Sequence, residues 1–136
     1  MTTYRRRAWV TIAVLVHLIV VLFHGTAHSR LRVELSDWQQ LYVFVVVMLA
    51  PLLALGLSFM RYIRTGLWLL LASMLGSLIF GVCYHYIIIS PDHVTHLPSG
   101  EARSLFHVTA LLLLITEAFG AAVAGIALRA ASKRGM

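Results

Sequence analysis

The sequence predicts an all-α integral membrane protein, a four-helix up-down antiparallel bundle. Three observations predict it. Of the 136 residues, 60% are hydrophobic and only 12% are charged. Four apolar runs divide the chain, each near the ~20 residues a helix needs to cross the hydrocarbon core. Basic residues gather at the ends of those runs. A soluble domain carries roughly 25% charged residues, so this chain has too little polar surface for a water-soluble globule and lipid is the expected solvent. Within lipid every backbone amide needs an internal partner, which leaves helices or a closed barrel. The short alternating strands of a barrel are absent. One unit, residues 1–136, accounts for the whole chain.

The expected helices cover about residues 8–28, 37–61, 65–89 and 102–129. The first follows a basic stretch, as a signal peptide would, but has no small-residue cleavage pattern and is read as a retained helix. Ser36-Asp37-Trp38-Gln39 has capping-box spacing and sets the start of the second. Pro51 removes an amide donor inside that helix and predicts a kink. Residues 61–65 form a tight turn. Ser90 to Gly100 holds Pro91 and Pro98 and reads as a turn-rich loop or lid. Ser73, Ser77 and Gly81 recur every four residues, as do Gly120, Ala121, Ala124 and Gly125. Such small-residue stripes let helix backbones approach closely.

Charge placement gives an orientation. Arg5, Arg6, Arg7, Arg61, Arg64, Arg129, Lys133 and Arg134 lie at one end with no acid among them. Arg30, Arg32 and Arg103 lie at the other with Glu34, Asp37, Asp92 and Glu101. The positive-inside rule makes the first end cytoplasmic, with both termini inside and the chain in the plasma (inner) membrane. The net charge of +6 therefore reads as topology, and no nucleic-acid partner is expected. Trp9, Trp38, Trp68, Tyr84 and Tyr86 fit interfacial belts. The single cysteine, Cys83, excludes an intrachain disulfide and reads as a small buried hydrophobe.

The chemistry lies with seven histidines, none on the predicted cytoplasmic side. His17, His24 and His28 form one stripe at ~100° per residue. At ~1.5 Å per residue, His24 stands ~24 Å and His85 ~28 Å above the basic end, and His107 lies within ~3 Å of the outer boundary. His24, His28, His85 and His107 are therefore expected to share one layer, beneath the loop bearing Asp92, His93 and His96 and near Glu101. His17 and Glu117 form a deeper layer. A lone acid in hydrocarbon costs ~2.5–3.5 kcal/mol, so Glu117 is expected to face inward with His17 as partner.

His24-Gly25-Thr26-Ala27-His28 is an HxxxH spacing that puts two imidazoles on one helix face. It lacks the glutamate of a zinc protease, and no phosphate-binding loop or haem-attachment motif is present. Three ligand chemistries stay open. The first is a transition-metal site for zinc, copper or iron, built from His24, His28, His85, His107, Asp92, His93 and His96. The second is a b-type haem or other tetrapyrrole held by histidines such as His24, His85 or His107, in an electron-transfer or accessory subunit. The third is a metal-free acid–base or proton-relay pair, Glu117 with His17, acting on a lipid-soluble small molecule. A purely structural role within a larger complex or homo-oligomer is the fourth reading. No reaction or substrate follows from these residues, and the sequence does not decide whether the chain is an enzyme.

Overall fold

The computed structural model describes residues 2–132, among which there are four long helices and no strand. They are α1 (Thr3–Leu31), α2 (Asp37–Phe59), α3 (Ile63–Ile87) and α4 (Arg103–Ser132), each long and apolar enough to cross a membrane. α1 begins five residues before the expected start. The Thr2 hydroxyl caps it by accepting from the Arg5 amide, and the arginine run winds on as helix. Lys133 and Arg134 lie outside the described residues.

Local chemistry sets the helix ends. Ser36 opens α2 as its spacing predicts, its amide donating to the Gln39 side chain at 2.9 Å. α1 stops where Arg32 takes a left-handed conformation, φ 52°, a region costly for a residue with a Cβ. This turns the chain back, so the Val33 amide donates to the His28 carbonyl at 3.1 Å.

Two helices contain widened π turns, at Val43–Leu49 in α2 and Cys83–Ile87 in α3. Such turns recur at functional sites. The first runs up to Pro51, which has no amide hydrogen to give the carbonyl four residues back, that of Val47. His17 Nε2 donates to that carbonyl instead, at 3.1 Å.

α4 packs along both α1 and α3, and α3 packs along α2. The α1 and α2 backbones approach most closely along Ala50–Phe59. There Arg7 donates to the carbonyls of Ser58 and Phe59, at 3.1 and 3.2 Å. The ring of helices is thus closed at the basic end and open between α1 and α2 at the histidine end.

Small residues make the tight crossings. A Cβ on Gly66 would stand 2.7 Å from the Ala54 carbonyl oxygen, and one on Gly120 would stand 2.9 Å from the Met74 side chain. Gly125, expected in the same stripe, has nothing within 4 Å of its Cβ position.

The interior has three apolar clusters. One at the basic end centres on Val10, Val14, Leu67, Leu70 and Met74. One at the histidine end joins Ala27, Leu31 and Phe106 to Val33 and Leu97 of the connections. Val20, Val21, Val47 and Leu113 lie between. The outward faces are also apolar, with Leu15, Ile19, Leu22, Leu111 and Ile115 all exposed.

Candidate functional site

Buried polar side chains gather at the histidine end, where α1, α3, α4 and the loop after α3 meet. The π turn in α3 directs His85 inward, leaving it 4% exposed. The same residue ties down the loop: its carbonyl accepts from the Val94 amide at 3.0 Å, and its Nδ1 donates to the Asp92 carbonyl at 3.1 Å. Leu97 adds an apolar anchor. The predicted lid is therefore packed onto the bundle, and it buries the Asp92 side chain to 4% exposure.

Three imidazoles pack together beside that carboxylate, two of them in contact with it. The ring of His24 lies 4.8 Å from that of His28 and 4.9 Å from that of His85, centre to centre. Phe106 packs against all three, at 4.6, 5.0 and 5.4 Å from His24, His28 and His85. His28 Nε2 stands 3.0 Å from Asp92 Oδ1, and His85 Nδ1 stands 3.3 Å from the same oxygen.

Their partners fix which ring nitrogens carry protons in the neutral rings, because a carbonyl oxygen can only accept. His28 Nδ1 donates to the Val33 carbonyl at 3.2 Å, the group that the left-handed Arg32 turns back over the ring. His85 Nδ1 donates to Asp92, as above. His24 Nδ1 faces the Thr109 hydroxyl at 2.9 Å. That hydroxyl spends its own proton on the Leu105 carbonyl at 2.7 Å, so His24 is the donor. All three rings therefore present Nε2 as a lone pair.

His24 Nε2 is buried without a partner, and so are both carboxylate oxygens of Asp92 by strict hydrogen-bond geometry. Where His28 Nε2 meets Asp92 Oδ1, two acceptors face each other, an arrangement that needs a proton or a cation between them. Burial works against ionisation of Asp92, but the imidazoles of His28 and His85, once protonated, outweigh it and hold the carboxyl well below the usual carboxylate range. Among the described residues, no three His, Cys, Asp or Glu side chains stand closed in metal-ligating geometry. The acceptors are gathered, not preassembled.

Other expected members stand apart. His107 is exposed on α4. Thr109, the residue that meets His24, lies about 200° round the helix from it at ~100° per residue. His93 and His96 pair with each other through Thr95, whose hydroxyl lies 2.9 Å from Nδ1 of each, and they do not line the cavity of the other three. Glu101 is exposed.

The deeper pair also needs correction. Glu117 faces the interior as expected, 2% exposed, but His17 is not its hydrogen-bond partner. His17 is held by the Val47 carbonyl that Pro51 leaves free, with its Nδ1 3.5 Å from the Thr116 hydroxyl. Glu117 Oε2 is buried with no partner, as is the Ser77 hydroxyl one turn below Gly81. The Cβ position on Gly81 lies 3.7 Å from Glu117 Oε2.

These groups line one cavity of about 1040 Å³, which holds His24, His28, His85 and Asp92 at one end and Ser77 and Glu117 deeper. Its walls come from both sides of the gap between α1 and α2: Leu22, Gly25 and Thr26 on one, Val43, Val47 and Met48 on the other. Sequence reasoning missed Thr109, Phe106 and Ser77 as parts of the site. Phe106 lies eleven residues before Glu117, about 20° from it on the helix at ~100° per residue, so the acid's own face pointed to it.

Compared with known proteins, the chain matches no protein-family model, and no curated protein or solved structure is significantly similar to it.

Proposed function

We propose that this chain is an integral membrane protein holding a transition-metal ion at the extracytoplasmic end of an antiparallel bundle. His24, His28, His85 and Asp92 are the ligands in this reading. One observation carries it: each of the three imidazoles spends its Nδ1 proton on a protein acceptor, and of the Nε2 atoms left free that of His28 faces Asp92 Oδ1 at 3.0 Å while that of His24 is buried with no partner. Histidines that bind metals have their second nitrogen engaged in this way, which fixes the tautomer and orients the ring. The 3.0 Å between His28 Nε2 and Asp92 Oδ1 is close to the ~3.3 Å between ligands about a tetrahedral ion with bonds of ~2.0 Å. Three nitrogens and a carboxylate suit zinc, copper or iron. His107, His93 and His96 are not part of the set.

The apolar outer faces support membrane insertion, since exposed leucine and isoleucine on every side of a bundle need lipid as solvent. The six described basic residues at the end without acids support the N-in, C-in orientation. A small ion fits better than a haem. The His24 and His85 rings, 4.9 Å apart, leave no room for a macrocycle between them, and His107 points elsewhere. A second reading, a proton relay, rests on the His28–Asp92 contact, which a proton would also satisfy.

Elemental analysis and an absorption spectrum of protein purified in mild detergent test the assignment. The expected result is one transition-metal ion per chain, kept in His107→Ala and lost in His24→Ala/His28→Ala. Metal-free protein that takes up no zinc, copper or iron on titration would overturn it in favour of the relay. A Soret band would overturn it in favour of haem.

A further inference from the structure

The cavity's deep end is not used by the proposed metal site, and its polar groups have no partners. We infer that it is a binding site for a lipid-borne alcohol or phenol, which reaches it sideways through the gap between α1 and α2. The hydroxyl donates to Glu117 and accepts from Ser77. This inference rests on the membrane-inserted reading above.

Three observations support it. First, Glu117 Oε2 and the Ser77 hydroxyl are both buried and unpartnered. Buried polar groups are almost always hydrogen-bonded, so two orphans on one cavity wall imply a missing partner. Second, the pair selects a head group. Glu117 offers an acceptor, and Ser77 has a proton to give. A hydroxyl donates and accepts at once. A carbonyl could only accept, and an ammonium could only donate, so each would satisfy one of the two groups.

Third, hydrocarbon side chains line the same cavity: Val21, Val43, Val47, Met48 and Leu113. The whole cavity, histidine end included, measures about 1040 Å³, ample for an occupant of its deep end beside the ~300–1,000 Å³ of small-molecule sites. Leu22 is 61% exposed at the rim, so the opening faces sideways, toward the acyl chains, as well as along the bundle axis.

Photolabelling in lipid nanodiscs tests the site. One probe is dodecanol bearing a chain diazirine, and the other is the matching dodecane without the hydroxyl. The alcohol's adducts should concentrate on Val43, Val47, Met48 and Leu113 and be displaced by plain dodecanol, whereas the alkane's should not concentrate there. Glu117→Leu should lower the alcohol's labelling about fivefold or more, the loss expected for one buried hydrogen bond. Glu117→Gln, which keeps an acceptor oxygen, should stay within about threefold. Gly25→Trp leaves Glu117 intact and should also cut the labelling, since a Cβ there meets nothing within 4 Å and the added ring would fill the opening.

Equal labelling of exposed Leu15, Ile19 and Leu111, unchanged in Glu117→Leu, would overturn the site. Labelling lost in His24→Ala/His28→Ala but kept in Glu117→Leu would also overturn it, by making the ion the anchor. Cavity labelling in protein that binds no metal supports the alcohol site while rejecting the metal reading.

Discussion

Thr109→Val tests the tautomer argument directly. The change keeps the size and branching of the side chain and removes the one acceptor that holds His24 Nδ1–H, at 2.9 Å. His24 is 7% exposed, so water does not readily replace the lost partner. An unsatisfied buried donor costs ~1–3 kcal/mol, and removing the group that orients a metal-bound histidine costs roughly 10–100-fold in metal affinity. The two effects separate in a double-mutant cycle. In a His24→Phe background, Thr109→Val removes no hydrogen bond and should be near neutral, because replacing both partners by apolar groups of similar shape is tolerated. Metal titration with a competing chelator reads the affinity, and unfolding in mixed micelles reads the stability. Metal affinity within twofold of the parent, together with the same destabilisation in both backgrounds, would refute the claim that Thr109 sets the His24 tautomer.

Cysteine labelling of intact cells should leave Thr2→Cys and Ser132→Cys untouched from outside while modifying Ser99→Cys; the reverse pattern rejects the orientation. His17→Leu should destabilise by ~1–3 kcal/mol through the orphaned Val47 carbonyl, and adding Pro51→Ala, which restores an amide donor, should recover most of the loss; no recovery would reject the compensation. Gly66→Leu should cost at least ~1–3 kcal/mol by overpacking against the α2 backbone, whereas Gly125→Ala should be neutral or slightly stabilising, since its Cβ meets nothing. Metal should leave on acidification as imidazoles protonate. The Asp92 carboxyl, held below its usual range, stays ionised down to that range, so the loss should come from imidazole protonation and not from a carboxylate step. An absence of metal release above the carboxylate range would contradict this.

Depth along a helix was legible in the sequence, and direction around it was legible only in part. His24 and His28 share a face because they are one turn apart, and they do meet. His85 was placed at their height by counting residues, and it meets them. His107 was placed by height alone, and height says nothing about azimuth. Glu117 fixes which face of α4 is buried, and that face carries Phe106 into the cluster and leaves His107 outside. The loop acid Asp92 was legible as lying above the cluster. That its own backbone carbonyl holds His85 was not, because such a contact depends on the π turn that shifts His85 inward. Nothing in the residue pattern of Cys83–Ile87 announces that turn.

Pro51 connects the remaining features. It frees the Val47 carbonyl, and His17 answers it, which is why the deep acid is left without the partner that the sequence suggested. The stretch of α2 before Pro51 is the widened Val43–Leu49 turn, and over that stretch the α1 and α2 backbones approach less closely than they do below it. Below it they close, with Ala54 against Gly66 and Arg7 reaching the carbonyls of Ser58 and Phe59. The gap, the orphan acid and the histidine bond thus share one origin in the irregular helix. A regular α2 carrying leucine at position 51 would serve the Val47 carbonyl itself and free His17 for Glu117.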